Sequence, residues 1–276
     1  MQLSGKKLKP KLEEYLEQGN ISVILYSNPN NPSWICFTEE ELKTIGELAT
    51  KYDVVILEDL AYFGMDFRKD ISVLGEPPFQ FTVAKYTNNY SLTISSSKAF
   101  SYAGQRIGFL LVSNDLANRN FNNLLEFYDS SNYLDCIASG TIYSTTGGAS
   151  HSAQYGMAAL LKTINSGEYN FVNEVKTYGE KAKILKEIFQ KNGFEIVYSH
   201  DLDQPISDGF FFTASFPGFS GSELVEELIA YGISALPLDS TGSEKLEGIR
   251  ISVSKIDFSQ FEMLDERLRL FKENNL

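Results

Sequence analysis

The chain has 276 residues, enough for one large domain or two modest ones. It carries 24 Lys+Arg against 36 Asp+Glu, a formal net charge of -12, which argues against nucleic acid as a partner. No apolar run approaches membrane-spanning length, and two cysteines (Cys36, Cys136) with two histidines (His151, His200) make no metal-ligand cluster.

The opening segment, Met1 to Pro10, is charged and has no apolar core behind it, so it does not read as a secretory signal. The expected location is cytoplasmic, with both cysteines reduced. Residues 11–18 read as a helix stopped by Gly19. Ile21 to Tyr26 reads as a short strand, followed by a Pro/Asn turn. Thr38 opens a capping box with Glu41, and the helix it starts should run to about Lys51. Val54 to Leu57 is a continuous apolar run, as expected of a strand buried on both faces. The β-α-β order predicts parallel strands joined by a right-handed crossover. Ser91 to Ile94 and Ile107 to Val112 read as two further strands.

From about residue 151 the pattern changes. Helices are expected over 151–164 and 168–191, the second stopped by Gly193. Short strands should follow near 194–198 and 209–215. Ser220 to Glu223 is a second capping box, opening a helix to Tyr231. Strands near 233–237 and 249–253 precede a last helix opened by Asp257, with Gln260 three residues on. The expected architecture is α/β with a mostly parallel sheet over residues 1–150, then a smaller α+β domain with its linking helix over 151–276.

This layout has a chemical consequence. Asn31 follows the first strand, Asp59 ends the second and Lys98 follows the third. Ligands of open α/β sheets bind outside the carboxyl ends of the strands, so these three groups should meet in one crevice. Singly, each has a plainer reading: Asp59 as a turn cap, Tyr62 as core, the Asn-Pro pairs as turns, Arg106 and Arg250 as surface cations. His151 and His200 read as surface or structural residues, and Cys36 and Cys136 as small buried hydrophobes.

Taken in order, Asn28-Pro29-Asn30-Asn31-Pro32-Ser33, Asp59-x-x-Tyr62, Ser95-x-Ser97-Lys98 with Arg106, and Arg250 resemble the motifs of aminotransferases of the aspartate aminotransferase-like type. The resemblance runs from about Tyr26 to the C-terminus. It implies a fold type I enzyme dependent on pyridoxal 5'-phosphate, moving an amino group between an α-amino acid and a 2-oxo acid. Lys98 would hold the cofactor aldehyde as a Schiff base and shuttle the proton. Asp59 would pair with the pyridine nitrogen, and Asn31 and Tyr62 with the phenolic oxygen. Ser95 and Arg106 would bind phosphate, Ser97 would belong to the cofactor-binding set, and Arg250, with Asn31, would bind the substrate carboxylate. A homodimer is implied, and no metal.

The match departs from the family in three places. The family's glycine-rich phosphate loop and ring-stacking aromatic lie ahead of the Asn-Pro motif, and the 27 residues before Asn28 contain neither. This chain is therefore expected to be a C-terminal portion of a longer aminotransferase, with an incomplete sheet whose uncovered edge favours association. Trp34 stands where the family has glycine, and Leu60 where an acid often follows the aspartate. Two alternatives accompany the aminotransferase reading: a lyase or decarboxylase on the same scaffold, and an inactive portion that needs its missing half.

Overall fold

The computed structural model describes residues 5–206 and 208–276. Its first sheet has four strands in the order β1 (Val23–Ser27), β2 (Val55–Leu60), β3 (Tyr90–Ser95) and β4 (Gly108–Val112). β1, β2 and β3 are mutually parallel, and β4 runs antiparallel to β3. The register sets Ser27 opposite Asp59 and Asp59 opposite Thr93, so the carboxyl ends of the three parallel strands lie level.

Two helices cover one face of this sheet, α1 (Leu8–Leu16) and α2 (Glu39–Lys51). The predicted capping box of α2 is present: the Thr38 side chain accepts from the Glu41 N–H and the Glu41 carboxylate accepts from the Thr38 N–H. Helix α1 begins three residues earlier than the sequence reading placed it. Leu8, Leu12 and Leu16 form a buried stripe at helical spacing, and Pro10 sits in the first turn, where its missing N–H costs nothing. With Ile45, Leu48, Ala49, Ile56, Leu60 and Leu92 this stripe makes one core. Alternation along β2 sends Ile56, Glu58 and Leu60 toward that core and Asp59 toward the opposite face.

Among the described residues β1 and β4 are edge strands, and the apolar edge expected from the sequence is real: Val23 is 51% and Leu25 67% exposed. Cys36 and Cys136 are buried and unpaired, and His151 and His200 are exposed. Among the described residues no helix is long and apolar enough to cross a membrane.

The C-terminal part builds a second core. The helices His151–Asn165 and Phe171–Lys191 lead into a four-stranded antiparallel sheet. Its order is Glu195–Ile196, Phe211–Ser215, Ile249–Ser252, Leu236–Pro237. The strands expected over 194–198 and 233–237 shrink to two residues each, the second because Pro237 has no N–H with which to extend a ladder. Helices Gly221–Ala230 and Phe261–Asn275 pack on this sheet, and the predicted capping boxes at Ser220 and Asp257 are both formed. Phe189, Phe194, Phe212, Phe216 and Phe271 fill the interior through edge-to-face and tilted ring contacts. A third, smaller cluster joins the two cores: Trp34, Tyr62 and Met65 from the first part with Val175, Phe210 and Phe211 from the second.

Candidate active site

β3 ends at Ser95, whose side chain accepts a hydrogen bond from the Ser97 N–H at 3.2 Å and so starts the single turn Ser96–Ala99. Ser96 is buried and its hydroxyl donates to the Ile107 carbonyl, fixing the turn against the approach to β4. β4 opens on Gly108 because a Cβ there would lie 2.8 Å from the Ile94 carbonyl oxygen. This turn presents Lys98 toward the small cluster between the two cores. Its Nζ lies 4.9 Å from the centre of the Phe210 ring. Burial first, and then the Arg250 guanidinium, hold its pKa below the ordinary lysine value.

Arg250 comes from the C-terminal sheet, with Thr213 and Leu236 as its neighbours across the strands. Its Nη1 donates to Asn31 Oδ1 at 2.7 Å, a contact between residues 219 apart in sequence. Its guanidinium lies 5.0 Å from the Phe211 ring centre. Its Nε is buried and has no hydrogen-bond partner among the described residues. Tyr62, 8% exposed, packs against Trp34 and Phe211. Its pKa is raised, chiefly by burial, with Arg250 pulling it down and Asp59 pushing it up.

Asp59 sits on the face of β2 away from α2 and accepts from Thr93 Oγ1 at 3.3 Å. With Thr93, Ser95, Ser97 and Arg106 it lines a shallow cavity of about 400 Å³. Arg106 has a left-handed backbone, φ 52°, and its Nη1 donates to the Ala103 carbonyl. The residues singled out in the sequence therefore form two adjoining groups. Asp59, Ser95, Ser97 and Arg106 share the cavity. Lys98, Arg250, Asn31 and Tyr62 lie beside it around the aromatic cluster. A larger cavity, about 910 Å³, lies beyond Trp34 among Cys36, Arg68 and Leu202 and holds none of them.

Three participants were not found by reading the sequence. Phe210 and Phe211 were part of an expected strand, and nothing in an apolar run marks which ring faces a lysine. The third is Glu58, fully buried one residue before Asp59. Its pKa is pushed up to about 7, chiefly by burial, against the hydrogen bonds from the Val83 N–H and Asn28 and the influence of the nearby Tyr26 hydroxyl. The folded chain thus holds a proton here that the unfolded chain has lost above its ordinary value of 4.5. The associated stability is complete below that value and is lost as pH rises through about 7. Urea midpoints are expected to fall less steeply over this range in Glu58→Gln than in the wild type; equal slopes would contradict the assignment.

This architecture, a mostly parallel sheet carrying the turn with Lys98 and followed by an α+β part bearing Arg250, is the aspartate aminotransferase-like fold. A Thermus thermophilus aspartate aminotransferase single mutant matches with a TM-score of 0.69 at 18% identity, over 94% of this chain and 59% of that one. The aromatic aminotransferase of Pyrococcus horikoshii matches with a TM-score of 0.71 at 17% identity, over 96% of this chain and 63% of that one. The chain belongs to the aminotransferase class I and II family, whose model matches residues 1–268. A probable aspartate aminotransferase of Methanocaldococcus jannaschii is 25% identical over 259 residues, 91% of this chain and 58% of that protein. A probable aspartate/prephenate aminotransferase of Aquifex aeolicus is 27% identical over 201 residues, 71% of this chain and 43% of that protein. The chain thus spans less than two thirds of the length of these relatives.

Proposed function

We propose that this chain serves amino-group transfer between an α-amino acid and a 2-oxo acid, with pyridoxal 5'-phosphate as cofactor. The observation that carries the reading is Lys98: an amine of lowered proton affinity, half-buried, beside an arginine with an unpartnered buried donor. The residues present fit the cofactor. One cavity holds a carboxylate, Asp59, and a set of anion-binding groups, Ser95, Ser97 and Arg106. When bound, the cofactor supplies an electron sink for the charge developing at the substrate Cα.

The chain's own groups divide the remaining work. Lys98 would hold the cofactor through its aldehyde and would move the proton at the substrate Cα, for which an amine that is free near neutral pH is required. Asp59 would pair with the protonated ring nitrogen. Asn31 and Tyr62 would hydrogen-bond the ring's phenolic oxygen. Arg250, with Asn31 against it, would grip the substrate carboxylate in a two-pronged way and so orient the substrate Cα. In this reading residues 1–150 form the cofactor side and residues 151–276 the carboxylate side, in a cytoplasmic homodimer.

The 58% span of the M. jannaschii relative supports a second reading, in which the activity requires residues beyond these 276. One experiment separates the readings. The purified chain is titrated with pyridoxal phosphate, then given one equivalent of an amino acid. Amino transfer is expected to release the 2-oxo acid with no free ammonia. Ammonia release would indicate elimination, and no visible band at any cofactor concentration would overturn the proposal for this chain alone.

A further inference from the structure

Glu58 faces away from the site, yet it is bonded to the loop that builds it. Its Oε2 accepts from the Val83 N–H at 2.9 Å and its Oε1 from Asn28 Nδ2 at 3.3 Å. Asn28, 4% exposed, is tied twice more: its N–H donates to the Asp59 carbonyl at 2.9 Å and its Oδ1 accepts from the Phe37 N–H at 3.1 Å. One buried amide thus pins both the entry and the exit of the loop from Asn28 to Phe37. That loop carries Asn31, which holds Arg250, and Trp34, which packs on Tyr62 and Phe211.

We infer that Glu58 is a positioning residue: it anchors the Asn28–Phe37 loop and, through it, the Asn31 amide that orients Arg250. Packing alone does not account for a carboxyl at 0% exposure, because an apolar side chain would fill the space without the desolvation cost. The hydrogen-bond chemistry does account for it. The groups facing the carboxyl are the Val83 N–H, the Asn28 amide and, from β1, the buried Tyr26 hydroxyl. Tyr26 is the titratable one among them, its pKa raised by burial and by Glu58. It couples to the carboxyl, although its hydroxyl has no hydrogen bond of proper geometry among the described residues. Ionised, Glu58 accepts from both N–H donors. Protonated, it keeps acceptor lone pairs on both oxygens but loses the charge that strengthens both bonds, so its hold on Asn28 and Val83 weakens. The order of the loop therefore follows the protonation state of Glu58, which changes near pH 7.

The consequence for a substrate carboxylate rests on the function proposed above, but the test does not, since it uses the cofactor-free chain. Trp34 is the only tryptophan in the sequence and sits on the anchored loop. Its fluorescence is followed against pH across neutrality, with far-UV circular dichroism in parallel. The wild type is expected to show one emission transition near pH 7 at constant circular dichroism, and Glu58→Gln to lose it. A transition that persists in Glu58→Gln, or a flat wild-type profile, would overturn the inference. Should the variant not fold, amide exchange in the wild type decides. After correction for intrinsic rates, protection at Phe37 should change across the transition. Equal protection would overturn the assignment. Failure of cofactor binding in the earlier titration would leave both readouts in place.

Discussion

Lys98→Ala is expected to abolish the reducible visible band that the wild-type chain develops with pyridoxal phosphate. After borohydride reduction, the mass increment should map to Lys98 in the wild type and be absent from the variant. The argument is one of proton affinity. Lys51 and Lys85 are exposed and Lys11 is partly so, and carboxylate or phenol partners move their pKa values upward. Lys98 moves the other way, through burial and the neighbouring Arg250 charge. An imine forms from the free amine, so at neutral pH the reaction should select Lys98 over better-exposed competitors. Any amino transfer by the chain should fall on the order of a thousand-fold or more, the worth of a positioned acid–base group. Labelling spread over surface lysines, undiminished in Lys98→Ala, would show that the site does not hold the cofactor.

Gly209→Ala should cost about 3 kcal/mol, at the upper end of ordinary overpacking penalties. A Cβ at Gly209 would lie 1.9 Å from Trp34 Cε2 and 2.3 Å from Nε1. The indole cannot retreat: it is 2% exposed, in contact with Tyr62 at 5.0 Å and Phe211 at 4.9 Å between ring centres. Its backbone is already in the left-handed region, φ 62°, which a residue with a Cβ occupies at a cost of about 1–2 kcal/mol. Such a loss is a large share of the roughly 5–15 kcal/mol that stabilises a domain. Urea denaturation measures it, and Trp34→Leu in the Gly209→Ala background should recover part of it by making room. If the double variant is no more stable than Gly209→Ala alone, the clash is not with Trp34.

What could be read from the sequence was what short-range physics determines. The capping boxes at Thr38, Ser220 and Asp257 are local hydrogen-bond arrangements, and all three are present. The parallel pairing of β1 and β2 followed from the β-α-β order. The convergence of Asn31, Asp59 and Lys98 followed from strand polarity, although the structure divides them between a cavity and the cluster beside it. Trp34 was legible only as a bulky residue at a glycine position. Its accommodation depends on Gly209, far along the chain, and no local pattern links the two. Glu58 was hidden for a related reason. In a strand read as apolar, one acid beside another gives no sign of which will face solvent or site and which will be sealed inside.

The bond between Asn31 and Arg250 also bears on how the chain folds. It closes a loop of 219 residues, so its entropy cost falls on the last stage of assembly, after the two sheets have formed from more local contacts. The two cores are therefore expected to mature before the contacts that join them, the crevice among these. A carboxylate ligand bridging Arg250 and the first sheet would act as a clasp, merging two unfolding steps into one and slowing the opening of the crevice more than that of either core.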